Sequence, residues 1–215
     1  PETQAAVIFE EDRPGLLEMY RQIDSGAGTA ECTYGFLWNG VPSYRRAKAA
    51  AICDERTGRR TAVCISRDIT NEKRMQTLYE KELQYLHQSN DAALTSKGHF
   101  DLTEGTVLEF SLLIDADVKY PASIMFDGLL NSFLLNIDRE EDRASLAELA
   151  SRKTLIRKYH EGERHLTFRY RRSKRGQVPG WVELQANTFL APSSGHIECF
   201  MYSYDVTEQE LEKLI

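Results

Sequence analysis

His196 and Cys199 stand three positions apart in His196-Ile-Glu-Cys199, two side chains of the kind that bind zinc. A zinc site needs three or four ligands, and the surrounding residues alternate as in a strand, where odd spacing sends two side chains to opposite faces. The pair is read as structural and no metal is expected. His87, His99 and His165 each stand alone and read as surface or turn residues; His160, beside Glu161-Gly162, reads as a solvated residue at a helix end. Cys32, Cys53, Cys64 and Cys199 form no Cys-x-x-Cys pair and lie in strand-like segments, the setting of buried reduced thiols. No Ser-His-Asp set, glycine-rich phosphate loop or pair of carboxylates is visible, and the acidic residues fall on polar helix faces. The chain is therefore not expected to be an enzyme. Relay of a signal, or binding of a small molecule, is the expected work.

The elements that position these residues are organised by one junction. Residues 66–90, from Ser66-Arg-Asp-Ile-Thr70 to His87-Gln-Ser-Asn90, read as the end of a strand running straight into a long polar helix. A second copy, Ser203-Tyr-Asp-Val-Thr-Glu-Gln-Glu210, closes the chain, with Thr207 and Glu210 spaced as a capping box. The first helix carries only a thin apolar stripe, Met75, Leu78, Tyr79, Leu83 and Leu86. Such a helix is expected to pack on a partner helix or to bridge domains.

The 215 residues leave room for two domains of about 100 or one larger one. A hydrophobic content of 41% is enough for real cores. With 33 acidic and 27 basic residues, the net charge of −6 opposes nucleic-acid binding, which needs a basic stripe. The longest apolar run, 47–53, contains Lys48 and falls far short of the roughly 20 residues of a membrane span. A cytoplasmic protein without membrane insertion is expected, and the opening Pro1 suggests a piece of a longer polypeptide.

Along the chain, Ala5–Phe9 reads as a strand end or a short packing segment, and a helix follows with Asp12 as N-cap, Pro14 in its first turn and Leu16, Leu17, Tyr20 and Ile23 at helical spacing. Three strands, Ala30–Trp38, Tyr44–Cys53 and Thr61–Arg67, are separated by turns at Asn39-Gly40 and Asp54–Gly58. Thr70 is a candidate N-cap for the polar helix. A new unit opens at Gly98 with a hairpin turning at Glu104-Gly105. Short helices follow in 114–135, with Tyr120 among the core candidates. A helix beginning at Asp138 turns Leu146 and Leu149 inward, and Ser151 caps another that Gly162 closes. His165–Arg172, Gly180–Leu190 and His196–Tyr204 are again three strands, with turns at Lys174-Arg-Gly176 and Pro192–Gly195.

The halves correspond. Glu10-Glu-Asp-Arg13 matches Glu140-Glu-Asp-Arg143, and Arg67-Asp-Ile-Thr70 matches Tyr204-Asp-Val-Thr207, in the same order and with the same pattern of elements between. Tyr44 is as far before Asp68 as Trp181 is before Asp205. The first copy has far fewer residues before its Glu-Glu-Asp-Arg, so its opening strands are expected to be missing or upstream.

This arrangement resembles the PAS domain family, through Asp68-Ile69-Thr70 and Asp205-Val206-Thr207 after a third strand and the aromatic Tyr44 or Trp181 near the start of the penultimate strand. The resemblance implies an α+β fold of two PAS-like domains joined by a helical linker: 1–70 (N-terminally truncated), linker 71–93, 94–207, and 208–215 as the start of an output-linking helix. Within each domain it implies two opening strands, short helices, a longer helix, three strands and an exit helix. The second copy is similar to PAS-like modules of bacterial proteins that carry diguanylate cyclase (GGDEF) or cyclic-di-GMP phosphodiesterase domains, through Phe100–Glu109, Ser151–Gly162 and Arg169-Tyr-Arg-Arg172. Neither output motif occurs in the chain. The resemblance further implies a pocket between sheet and helices, with Phe126, Phe133, Phe168, Tyr170 and Leu184 as candidates. The same side chains could simply fill the core.

No flavin is expected, because no Asn-Cys-Arg-Phe-Leu-Gln-like stretch occurs, and no haem, because His160 is the sole histidine of the long-helix region. The expected function is a non-catalytic sensory, relay and dimerisation module of a bacterial signalling protein, with Asp68, Thr70, Asp205 and Thr207 as relay residues. A homodimer through helices is expected. The alternative is a small-molecule receptor domain of a histidine kinase or transcription regulator.

Overall fold

The computed structural model describes residues 7–53, 56, 58, 60–113, 124–137, 139–172 and 180–213. They form a mixed α+β structure with two antiparallel sheets, dividing into compact units Pro1–Met75 and Gln76–Ile215. Tyr120, Asp138 and the expected turn at 174–176 lie outside the described residues.

In the first unit, β1 (Val7–Ile8), a 3-10 turn (Glu10–Asp12), α1 (Arg13–Asp24), β2 (Thr29–Trp38), β3 (Val41–Cys53) and β4 (Arg60–Asp68) follow in order, and the sheet runs β1-β2-β3-β4. Asn39 and Gly40 both have positive φ, 51° and 76°, the conformation of the tight turn whose twist suits a hairpin. Small side chains on the sheet, Ala30, Ala47 and Ala49, let α1 press Met19 and Ile23 against it. Asp12 does not cap α1 with its side chain. Its carboxylate instead accepts the Gly35 backbone N–H at 2.7 Å, tying the helix start to β2.

Crossing into the second unit is α2 (Thr70–Gln88). Then come β5 (Leu94–Asp101), β6 (Thr106–Leu112), α3 (Phe126–Leu134), α4 (Glu140–Leu149), α5 (Arg152–His160), β7 (His165–Arg172), β8 (Gly180–Leu190), β9 (Ile197–Asp205) and α6 (Thr207–Glu212). The sheet order is β6-β5-β9-β8-β7, which places the last strand beside the first. The unit's first strand opens at Leu94 rather than Gly98, because Leu94–Lys97 already pair with β9. Ser151 caps α5 by accepting the Thr154 N–H at 3.2 Å, and Gly162, φ 91°, ends it. On α4, Leu146 is buried but Leu149 is not, because Ala150 fills the place next to the core.

Period-two alternation divides this sheet's side chains between two layers. Phe100, Ala186 and Cys199 meet Leu102, Phe126, Leu129 and Leu155 on the α3–α5 side. Tyr170, Val182 and Leu184 pack there with Ile137, Leu146 and Ala150. Phe200 and Tyr202 point the other way and, with Leu94, bury Leu86 of α2, joined by Tyr79, Leu83 and Phe189. Tyr79, Leu83 and Leu86 of the thin stripe therefore pack on the second unit's own sheet, in a helix that begins in the first unit. The wide aromatic surface of β8 and β9 compensates for the narrow stripe, while Leu78 stays half exposed. Leu86 is fully buried, so Leu86→Ala should cost about 2–5 kcal/mol in urea unfolding followed through the second unit's tryptophan, Trp181. A loss below about 1 kcal/mol would contradict the seating of α2.

Candidate functional site

Each exit helix is fixed to the penultimate strand by the same set of bonds. At the end of the first unit, the Tyr44 N–H donates to Thr70 Oγ1 at 3.0 Å, and the Ile69 N–H donates to the Tyr44 carbonyl at 3.0 Å. At the end of the second, the Trp181 N–H donates to Thr207 Oγ1 at 2.9 Å, and the Val206 N–H donates to the Trp181 carbonyl at 2.9 Å. Asp68 Oδ1 accepts the Thr70 N–H at 2.9 Å. Asp205 Oδ1 accepts the Thr207 N–H at 3.0 Å and its hydroxyl at 2.6 Å. Strand register matches too, with Arg45 opposite Asp68 and Val182 opposite Asp205. The Thr70 hydroxyl, then its backbone N–H, holds the Asp68 carboxyl below its ordinary range.

The first strand of each β-meander is tied alike, at the same end. Asp142 accepts the Arg171 N–H at 3.4 Å, as Asp12 accepts that of Gly35. Arg171 lies opposite Trp181 and Gly35 opposite Tyr44. Thr70 and Thr207 are thus not N-caps of the expected sort, since their hydroxyls reach a strand. Nor does Glu210 complete a capping box. It bonds Arg169 at 2.7 Å and Lys213 at 2.6 Å, and Arg169 also grips Glu183 at 2.6 Å, which clamps α6 to β7 and β8.

Between the second sheet and α3 lies a cavity of about 40 Å³, lined by Phe100, Phe110, Phe126, Leu129, Phe133, Tyr170, Leu184 and Met201, with Ser96 and Ser203 as polar groups. Four of the five sequence candidates, Phe126, Phe133, Tyr170 and Leu184, line it. Phe168 packs instead among Ile137, Leu146 and Tyr170. Burial pushes the Tyr170 phenol up, partly offset by the charge of Arg172 and then by its bond with Ser203. The volume holds about three waters and no ring system in this geometry.

On the sheet's other face, beneath α2, Glu198 Oε2 accepts the Tyr79 hydroxyl at 2.6 Å and meets His99 Nε2 at 2.6 Å. His99 stacks on Phe200, ring centres 4.1 Å apart. Burial, then the Glu198 bond, pushes the Tyr79 phenol up. His99, which reads from the sequence as a surface or turn residue, is 8% exposed; Glu198 is 6% exposed. The signal that could have found Glu198 is its place in Ile197-Glu-Cys-Phe-Met-Tyr-Ser-Tyr204, one charge in a strand buried on both faces. His87 pairs with Glu109 at 3.1 Å and His165 with Asn187 at 2.6 Å. His196 bonds Asp101 at 2.7 Å while Cys199 points into the core, where burial pushes its thiol up. Among the described residues no group of three or more His, Cys, Asp or Glu is arranged to hold a metal ion. Cys64 is exposed, contrary to the expectation of buried thiols, because β4 is an edge strand.

No protein-family model matches the chain, and no curated protein does. Among solved structures, the chain is similar to one described as an RNA-binding Light-Oxygen-Voltage receptor, at 10% identity and a TM-score of 0.35, covering 96% of this chain and 88% of that one. It is also similar to a putative uncharacterized protein from Mycobacterium tuberculosis, at 12% identity and a TM-score of 0.30; there it covers 99% of this chain but spans only 56% of the other. Neither likeness carries the fold. Among the described residues the second unit itself runs two strands, three helices, three strands and an exit helix. No helix among the described residues is long and apolar enough to cross a membrane.

The Asp101–His196 pair gives a signed pH dependence. Asp101 Oδ1 also accepts the Glu104 N–H. Burial raises the Asp101 carboxyl, but the bonds from Glu104 and His196 together hold it below 3.8, while the Asp101 bond lifts His196 above 6.5. The carboxylate's contribution to stability is present above 3.8 and lost as pH falls through its folded value. The imidazolium's is full below 6.5 and lost as pH rises through its folded value. An NMR titration should place the His196 midpoint above 6.5, and Asp101→Asn should bring it back. A midpoint unmoved by that substitution would refute the pairing.

Proposed function

We propose that the chain is a non-catalytic sensory and relay module of a bacterial signalling protein: two PAS-like domains in tandem that act on an output domain such as a diguanylate cyclase. The observation that carries this is the latch built twice, Asp68–Thr70–Tyr44 and Asp205–Thr207–Trp181, at the one place in each unit where a strand becomes an outgoing helix. Any change in the sheet that moves Trp181 moves the start of α6 with it. The first outgoing helix, α2, lies on the second unit's sheet, directly over the strands whose other face lines the cavity. In this reading the module works in the cytoplasm, as a homodimer, without flavin, haem or metal.

A second reading, a small-molecule receptor of a kinase or transcription regulator, draws on the cavity itself. Ser96, Ser203 and the Tyr170 phenol supply a few convergent polar groups in an apolar wall. A ligand there would have to open the cavity well beyond 40 Å³.

The relay reading is tested by fusing a diguanylate cyclase in frame after Ile215 and comparing cyclase rates with and without Asp205→Ala. The substitution should change the fused cyclase's rate several-fold while circular dichroism and the unfolding midpoint of the module shift little. Equal rates would refute the relay. A metabolite that stabilises the module by RT ln(1 + [L]/Kd) without altering the cyclase rate would favour the receptor reading.

A further inference from the structure

β4 and β9 are the same strand in the two units, aligned by Asp68 and Asp205, yet their surroundings differ. Phe200 and Tyr202 of β9 are fully buried, and β9 pairs on both sides, with β5 and β8. The aligned Val63 and Ile65 of β4 are 48% and 72% exposed. Every side chain from Thr61 to Asp68 is exposed, and among the described residues β4 pairs with β3 alone. The β3–β4 ladder runs without a bulge from Arg45–Asp68 to Cys53–Arg60, and no proline interrupts β4. A long, regular edge with an apolar centre, no proline or bulge, and charged residues only towards its ends, Arg60, Arg67 and Asp68, is a surface open to pairing.

We propose that this edge is paired by a second copy of the chain, β4 against β4, antiparallel about a two-fold axis at Cys64. The sequence of β4 chooses that register. Centring on Cys64 sets Val63 opposite the second copy's Ile65 and Ile65 opposite its Val63, on one face. Ala62 faces Ser66 and Thr61 faces Arg67, so these pairs oppose no like charges. Centring one residue earlier would set Ile65 against Thr61, and one residue later would set Val63 against Arg67. The two-fold joins two four-stranded sheets into one of eight strands and merges the two Val63–Ile65 patches. The contact uses neither α2 nor α6, so both copies keep their exit helices free for relay.

Cys64 makes the proposal directly testable. Directly opposed residues of antiparallel strands have Cα atoms about 4.5–5.5 Å apart, inside the roughly 4.4–6.8 Å range of disulfides. Light scattering on the eluting protein should give twice the 24.6 kDa chain mass. Treatment with diamide should join the two copies, two Cys64 thiols giving up two protons and two electrons to the diamide as it becomes the hydrazine. Peptide mass spectrometry should find Cys64 linked to Cys64. Cys64→Ser should remain a dimer without the link. Ile65→Lys, at an exposed position, should return the mass to 24.6 kDa with unchanged circular dichroism. A monomer at all concentrations would overturn the proposal, including one whose β4 amides are protected from exchange by some other strand. So would a dimer indifferent to Ile65→Lys, or a link that maps elsewhere.

Discussion

A threonine hydroxyl joins each outgoing helix to the strand before last. In the second unit it donates to Asp205 and accepts from the Trp181 backbone, so one oxygen fixes a carboxylate, a helix start and a strand together. The strand has no freedom left there, because the Trp181 carbonyl is taken by the Val206 N–H. Hydrogen bonds of this sort add about 0.5–1.5 kcal/mol each, more where the acceptor is charged. That is modest for stability. Their directionality matters more, because the helix can leave the sheet along one line only. The Arg169 clamp on Glu183 and Glu210 holds the same helix a turn later.

Around that constraint the units diverge. The second sheet is covered on both faces, by α3–α5 and by α2, and tolerates a buried Glu198 because Tyr79 and His99 both reach it. Leaving a buried carboxylate without such partners would be costly. The first unit has one helix on one face and an open edge at β4. The same strand sequence position is thus core in one unit and surface in the other, and the residues follow: Phe200 and Tyr202 in the covered copy, Val63 and Ile65 in the open one.

Much of this was legible in the residues. Asn39-Gly40 marked a hairpin, alternation marked β7 and β8 to their ends, and the two Asp-x-Thr motifs marked the exits. Those signals are local, set by backbone conformation and by side-chain period. What the sequence did not reveal depends on distant partners. Thr70, Thr207 and Asp12 have the composition of caps, but a strand N–H nearby in space competes for the same oxygen and wins. The stripe on α2 appeared too thin to bury because the aromatic surface that receives it lies over a hundred residues away. His99 appeared solitary for the same reason, its partner Glu198 being 99 positions distant. For the cavity, four candidates were found by being large and apolar. The polar groups among them, Ser96 and Ser203, carry no sequence signal because small hydroxyl residues occur everywhere.

The most direct test of the latch is amide hydrogen exchange at Tyr44 and Trp181, whose N–H groups donate to Thr70 and Thr207. In Thr70→Val the Tyr44 amide should lose protection by about tenfold, with Trp181 unchanged. Thr207→Val should do the reverse, and Glu210 at the first turn of α6 should exchange faster with it; a tenfold loss corresponds to about 1.4 kcal/mol, the size of one such bond. If both amides keep their protection in the valine variants, the threonines do not hold the exits and the account fails.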